Sequence, residues 1–262
     1  LDGINGNGSI VLTRSGEQLD ASVELEQLEG LLNEYPLAIT GKLEIADSQL
    51  ESVNLQASNR DNTLALTGTT TPALDLQWQL QAPALDQLWQ GLGGELSGQG
   101  TLSGTTELPE VNGTLEGSKL QLASGNMTLQ LDSLQMQAAF NNAANDIQLE
   151  LGTVVMRDLV AGQRTERELL QQGTLNITGT PGQHAVLARL TAPELDLDLR
   201  LQGSASDTQW QGILQSAGIV SLYGDWQLEE ATALSAGSDR FTIAENCWTS
   251  NPLRLCMNAD KP

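Results

Sequence analysis

Apolar and polar residues alternate without interruption over two stretches of this sequence, and the alternation limits what the chain can fold into. In Pro72–Gln81, every second residue from Leu74 to Leu80 is apolar, and Asp or Gln stands between them. Pro193–Gln202 repeats the pattern and agrees with the first stretch at most positions. A period of two places all the apolar side chains on one face of a β-strand. The chain is therefore predicted to consist largely of strands with one apolar face each.

A shorter glycine-flanked motif recurs along the chain. Gly-Thr-Leu begins the segments Gly100–Thr105 and Gly113–Ser118, with Pro109 between them, and it returns in Gly173–Thr180. Glycine allows the backbone to turn where a short strand ends, and Thr and Leu suit a half-buried strand. The first two copies therefore predict a strand, a turn and a strand. With alternating runs from Ile10 to Met257, the sequence predicts an all-β, mostly antiparallel sheet.

Two segments show a helical rather than an alternating period. Leu85, Leu88, Trp89 and Leu92 share one helical face, with Pro near the start and two glycines beyond the end, so we expect a short helix at about 83–92. A second helical spacing, over 28–35, predicts a turn or two of helix that stops before Pro36. The charged segment 157–168 has weak periodicity and is interpreted as a protruding hairpin or loop.

Composition favours one continuous unit and excludes some partners. No linker-like stretch divides the 262 residues, so 1–262 is interpreted as a single domain. The net charge of −21 argues against a nucleic-acid partner, because phosphates would be repelled. No apolar run approaches the ~18 residues of a membrane span. Because the chain starts at Leu1 without an initiator Met, we expect it to be a piece of a longer protein.

The two cysteines lie close together near the end of the chain. Cys247 and Cys256 flank Ser250-Asn251-Pro252, and a turn centred on Asn251 and Pro252 would pair the cysteines across a hairpin spanning about 241–258. The spacing favours a disulfide, and two free buried thiols are the alternative. In the hairpin register, Trp248 lies on the face opposite to the cysteines. A disulfide would indicate an oxidising compartment.

The sequence offers little for catalysis. His184 is the only histidine and follows Pro181-Gly, so a hydrogen-bonded turn imidazole explains it better than a base or a metal ligand. Asp196 and Asp198 share a strand face and are interpreted as solvated. No phosphate-binding loop, nucleophile elbow or Cys-x-x-Cys motif occurs. We therefore expect no enzyme activity, no cofactor and no metal site.

The unusual property is the amount of one-faced strand without an obvious covering layer. Such a sheet must bury its apolar face against helices, a second sheet or a ligand, and helices are scarce here. Two packed sheets would give a closed β-sandwich, whereas one curled sheet would give a trough that could hold acyl chains of lipids. The residues predicted to line such a groove are Leu74, Leu76, Trp78, Leu80, Leu120, Leu122, Leu129, Leu131, Leu195, Leu197, Leu199 and Leu201.

Several motifs, in order, resemble the TamB family of bacterial envelope proteins. The strongest are the runs that start at Ala82, Leu92 and Val111, and weaker ones follow at 33–37, 173–184, 210–214, 226–228 and 247–256. The resemblance covers nearly the whole chain, although each motif is degenerate.

The resemblance implies a fold and a function. The family belongs to the AsmA-like, bridge-like lipid transfer proteins, so we expect an elongated, curved, taco-like β-sheet with a hydrophobic groove. It also implies a periplasmic segment of a protein that is anchored in the inner membrane and works with an outer-membrane barrel partner, TamA. The expected function is to conduct phospholipids between the inner and outer membranes. The alternative is a chaperone-like module for assembly of outer-membrane proteins.

Overall fold

The computed structural model describes residues 2–15, 18–47, 49–141, 144–160, 163–206, 208–238 and 240–261. Strands dominate the described residues. They are β1 Asp2–Ser15, β2 Gln18–Leu32, β3 Tyr35–Ala46, β4 Gln49–Asn59, β5 Asn62–Thr69, β6 Leu74–Ala82, β7 Leu92–Gly104, β8 Pro109–Ser124, β9 Met127–Phe140, β10 Asn145–Leu151, β11 Val154–Val160, β12 Gln163–Leu170, β13 Gln172–Thr180, β14 Gln183–Ala192, β15 Leu195–Ala205, β16 Gln209–Ser221, β17 Gly224–Leu228, β18 Thr232–Gly237, β19 Phe241–Ser250 and β20 Leu253–Lys261.

The strands form one antiparallel up-and-down sheet in which strands pair with the next along the chain, except at three breaks. Three pairs of successive segments lie end to end: β10 with β11 along β9, β12 with β13 beside them, and β17 with β18 along β16. The 20 strands therefore occupy 17 positions in the sheet. At a spacing of about 4.8 Å, the sheet measures roughly 80 Å across its strands.

This architecture confirms the predicted fold class, an all-β chain in one elongated, curved and mostly antiparallel sheet. Within the described residues, every substantial contact between strands joins neighbours in the sheet, and no second sheet packs on either face. The closed β-sandwich alternative is therefore wrong. The two Gly-Thr-Leu copies lie in β7 and β8, where Gly100 is opposite Gly113, as a strand, a turn and a strand require.

Both predicted helices need correction. The segment predicted as a helix at about 83–92 contains a single 3₁₀ turn, Leu85–Gln87. The side chain of Asn62 accepts from the backbone N–H of Ala84 at 3.1 Å and donates to its carbonyl at 2.9 Å. The side-chain Nε2 of Gln87 donates to Asp61 at 2.7 Å. These contacts fix the segment against the end of the sheet, and nine residues between two paired strands leave little room for a helix.

The segment 28–35, predicted as helical, belongs to β2 and β3 with a two-residue turn between them. Asn33 and Glu34 both have positive φ, 52° and 70°, as hairpin turns of this kind need. The pairing with β3 shifts between Leu25 and Leu28. This β-bulge lies before Leu28, and the pairing from Leu28 to Leu32 is regular. Leu28 and Leu32 face one side of β2 and Leu31 faces the other, and apolar residues on both faces imitate helical spacing.

The two predicted hairpins form. The charged segment 157–168 lies in the β11–β12 hairpin, whose tip, 161–162, is outside the described residues. In the C-terminal hairpin, Ser250 is opposite Leu253, Trp248 opposite Leu255 and Cys247 opposite Cys256, in the predicted register. The cysteines form a disulfide, so the alternative of two free thiols is wrong.

Candidate functional site

One face of the sheet is apolar from β6 to β17 without a break. One row of paired residues, which crosses all these strands, shows this. Its members, each paired with the next, are Ala82, Leu96, Gly117, Leu134, Leu151, Gly173, Leu190, Leu197, Ile219 and Trp226. Residues paired directly across an antiparallel sheet lie on the same face. The row therefore joins the leucines of β6 to those of β15, the two stretches that share an alternating pattern.

The leucines of β8 and β9 reach this face only because the alternation changes phase. Leu115 and Gly117 are on the apolar face, and the next apolar residue is Leu120, three positions later. A Cβ built on Gly117 would lie 2.8 Å from Cδ1 of Leu120, so both residues face the same side. Lys119 between them has a φ of +49°. Such a local irregularity turns the strand and keeps its leucines on one side.

The phase change crosses several strands at the same level. In β9, the phase change lies between Leu134 and Leu131, which is the next apolar residue toward the β8–β9 turn. At the same level, the chain breaks between β10 and β11 at Gly152. In the neighbouring sheet position, which β12 and β13 occupy, a Cβ built on Gly173 would lie 3.4 Å from Cδ2 of Leu170, so these two residues also face the same side. The apolar face is thus continuous across this seam.

The structure consequently brings all twelve residues predicted to line the groove onto one face. In β6, Leu74, Leu76, Trp78 and Leu80 alternate with exposed residues, and Leu76 is 7% exposed. Leu122 and Leu195 are less protected, at 52% and 43% exposed. Side chains of a single layer reach such burial by crowding against one another. That these residues contact lipid stays a prediction.

Glycines on the apolar face make room for tryptophans. Trp78 lies beside Gly100 and Gly113, where a Cβ would come within 2.6 Å of its Nε1 and 2.8 Å of its Cζ2, respectively. In β16, the ring of Trp210 occupies the space beside Gly203 and Gly212 in the same way. The indole rings can therefore lie flat along the sheet.

Two tryptophans on the apolar face hydrogen-bond polar side chains of the same face. The indole N–H of Trp210 donates to Nε2 of His184 at 2.8 Å. Nδ1 of His184 then carries the ring proton and donates to the carbonyl of Pro181 at 3.1 Å. Trp248 likewise donates to Oδ1 of Asn246 at 2.8 Å. His184 is thus a hydrogen-bonded side chain at the start of β14, which agrees with its non-catalytic interpretation.

Arginine–carboxylate ion pairs lie on the opposite face. Arg157 bonds Glu166 at 2.8 Å, and Arg189 bonds Asp198 at 2.7 Å, each across a pair of strands. Arg254 contacts both carboxylate oxygens of Glu229, with the shortest distance 2.7 Å. Hydrogen bonds from Arg254 lower the pKa of the Glu229 carboxyl. These exposed pairs lie on a solvated surface and form no convergent catalytic group.

Sequence analysis did not predict the concave pockets on this polar face. One, of about 780 Å³, is lined by residues of β14–β16 and β18–β20, and another, of about 630 Å³, lies over β5–β9. The second is bordered by amide and hydroxyl side chains such as Gln79, Gln99 and Thr114. Alternation identifies which residues share this face but not how the sheet curves beneath them.

Two features are absent from the residues that the structure describes. No group of three or more His, Cys, Asp or Glu side chains in the described ranges could hold a metal ion. Among the same residues, no helix has the length and hydrophobicity needed to cross a membrane.

Comparison with known proteins gives a family and one similar relative. Residues 3–261 match the family model described as TamB, N-terminal domain. The chain is 25% identical over 242 residues to the Translocation and assembly module subunit TamB of Haemophilus influenzae. That alignment covers 90% of this chain and 18% of the relative, so the chain spans under a fifth of the relative's length. No solved structure matches significantly.

Proposed function

Because the chain belongs to the TamB family, through its N-terminal domain, we propose that it is one segment of a periplasmic hydrophobic conduit for phospholipids. The conduit would connect the inner and outer membranes and hold acyl chains along the apolar face. The observation that carries the proposal is the continuous apolar row from Ala82 to Trp226, which no second layer covers within the described residues.

Burial of lipid tails supplies the driving force for binding in this proposal. Each CH₂ group removed from water contributes about 0.8 kcal/mol, so one tail gains on the order of 10 kcal/mol before entropic costs. The leucine surface runs across the strands rather than along them. It therefore follows the long dimension of the sheet, the direction in which a conduit between two membranes must extend.

The proposal is non-enzymatic and needs no cofactor. His184 and Asn246, which lie on the apolar face, are already hydrogen-bonded to Trp210 and Trp248. Movement along such a surface requires only that neighbouring positions be similarly apolar. The abundance of leucine suits it, because leucine offers a lining without directional contacts.

The second candidate is a chaperone-like module that guides strands of outer-membrane proteins, together with the partner TamA. The name of the Haemophilus relative, a translocation and assembly module subunit, supports this alternative. The sheet is also open: β1 and β20 each pair with one neighbour only within the described residues. An unpaired strand edge can accept an extended peptide.

Mass spectrometry of lipids that copurify with the 262-residue chain tests the proposal. We expect phospholipids to copurify with the folded chain and to be released when it unfolds. An excess of an extended β-strand peptide should not displace them. A lipid-free chain that binds the peptide along an edge would overturn the conduit and support the chaperone.

A further inference from the structure

Arg167 lies on the apolar face, unlike the ion-paired arginines of the polar face. In the β11–β12 hairpin, Glu166 bonds Arg157 on the polar face, so the adjacent Arg167 points to the other side of β12. Arg167 is directly opposite Met156 in β11. Met156 is opposite Leu129, which is opposite Leu122, so all four form one cross-strand row on the apolar face.

Arg167 also lacks a partner. Arg157, Arg189 and Arg254 each bond a carboxylate on the polar face. Within the part of the chain that the structure describes, Arg167 forms no hydrogen bond and no ion pair, and its side chain is exposed. A guanidinium has five N–H donors in a planar fork that suits two oxygens of a phosphate. At the margin of an apolar surface, these donors are available to an anion.

Arg167 lies where the edge of the sheet is stepped, because β12 extends beyond the end of β14. β14 pairs with β13 and ends at Ala192, close to where Gln171 donates its N–H to the carbonyl of Thr191. β12 continues beyond this level toward the hairpin tip, and among the described residues no strand pairs with its outer edge. Arg167 therefore stands beside an open flank, where a headgroup can remain in water.

A carboxylate shares this part of the face. Asp158 is opposite Met127, two residues along β11 from Met156, and so lies on the same side as Arg167. The strand register places Asp158 diagonally across from Arg167, at a Cα separation of roughly 7–8 Å. A cation and an anion side by side match a zwitterionic headgroup better than an anionic one, which Asp158 would repel.

We propose that Arg167 binds the phosphate of a zwitterionic phospholipid whose acyl chains lie on Leu122, Leu129 and Met156. This inference rests on the proposed conduit function and specifies its ligand. The protein carries a net charge of −21, so a phosphate is repelled by most of its surface. An unpaired arginine next to leucines holds the headgroup at the margin while the tails enter the apolar face.

The test compares two lipids with identical tails, phosphatidylethanolamine and diacylglycerol, by native mass spectrometry of the 262-residue chain. The wild type is expected to bind the phospholipid roughly tenfold more tightly, as a charge-assisted hydrogen bond predicts. Arg167→Gln should remove this preference and keep diacylglycerol binding. Arg164→Gln, the same change on the polar face of the same strand, should keep the preference, and Arg167→Lys should retain part of it.

The outcomes separate the inference from the conduit. If Arg167→Gln keeps the full preference, or if the wild type binds both lipids equally, the headgroup inference is wrong and the apolar face still binds tails. Displacement of the phospholipid by inorganic phosphate at the same concentration would also overturn it, because the tails would then contribute nothing. If neither lipid binds the wild type, the conduit and the inference both fail.

Discussion

Replacing Leu197 by arginine should block passage of lipid without unfolding the sheet. Leu197 lies in β15 between Leu190 of β14 and Ile219 of β16, in the row that runs the length of the apolar face. Its side chain is partly exposed and no second layer covers it within the described residues. The guanidinium of Leu197→Arg can therefore extend along the face to water, so the free energy of unfolding changes little.

The cost to a passing acyl chain is larger. If the charged group excludes about four CH₂ groups from contact, the tail loses roughly 3 kcal/mol, since each contributes about 0.8 kcal/mol. Because about 1.4 kcal/mol corresponds to a factor of ten, transport should slow by roughly a hundredfold. Every lipid that moves along this row must pass β15, so a single substitution acts on the whole flux.

The assay follows labelled phospholipid from the inner to the outer membrane in cells that carry the full-length protein. The matched control is Gln202→Arg, which adds the same charge to the polar face of the same strand, where Gln202 is exposed. We expect normal transport from this control and equal amounts of folded protein from both variants. Normal transport by folded Leu197→Arg would refute the reasoning, because a charge would then not matter on the proposed path.

Three further predictions concern the sheet itself. Reducing the disulfide, whose cysteines are nine residues apart in sequence, removes a constraint worth roughly 2–3 kcal/mol, so amide exchange should accelerate in β19 and β20 and not in β15. Gly113→Val puts a Cβ 2.8 Å from the Trp78 ring and should lower the Tm, whereas Gly182→Val, with nothing within 4 Å, should not. Arg254 lowers the pKa of Glu229, so their ion pair stabilises the hairpin above the unfolded-state pKa of Glu229. This stabilisation is lost as pH falls through the lowered folded-state pKa. Arg254→Gln should abolish this acid dependence, which amide exchange measured against pH would show.

The strands could be predicted because each carries its own signal. In β6 and β15, the alternation of leucine with polar residues determines both the strand and its faces, whatever its neighbours are. The register of the C-terminal hairpin was also local, since the turn at Asn251-Pro252 determines which residues pair up to Cys247 and Cys256. Short-range pairing suffices in a sheet where most strands pair with the next along the chain.

The remaining features depend on neighbouring strands. Leu28, Leu31 and Leu32 have helical spacing because they lie on both faces of β2, and only the pairing of β2 with β3 reveals the strand. The turn at Leu85–Gln87 is short because side chains from the β4–β5 turn hold it. Arg167 was overlooked because the charges of 157–168 obscure the alternation, although the pairing of Arg157 with Glu166 shows which residues face outward.

Site-specific photo-crosslinking in the full-length protein tests the central claim most directly. A photoreactive residue at Leu197 or Leu76 lies on the apolar face, and one at Asp198 lies on the opposite face of β15. We expect phospholipid adducts from Leu197 and Leu76 and none from Asp198. Equal capture of lipid from both faces, or capture of protein alone at Leu197, would contradict a hydrophobic conduit.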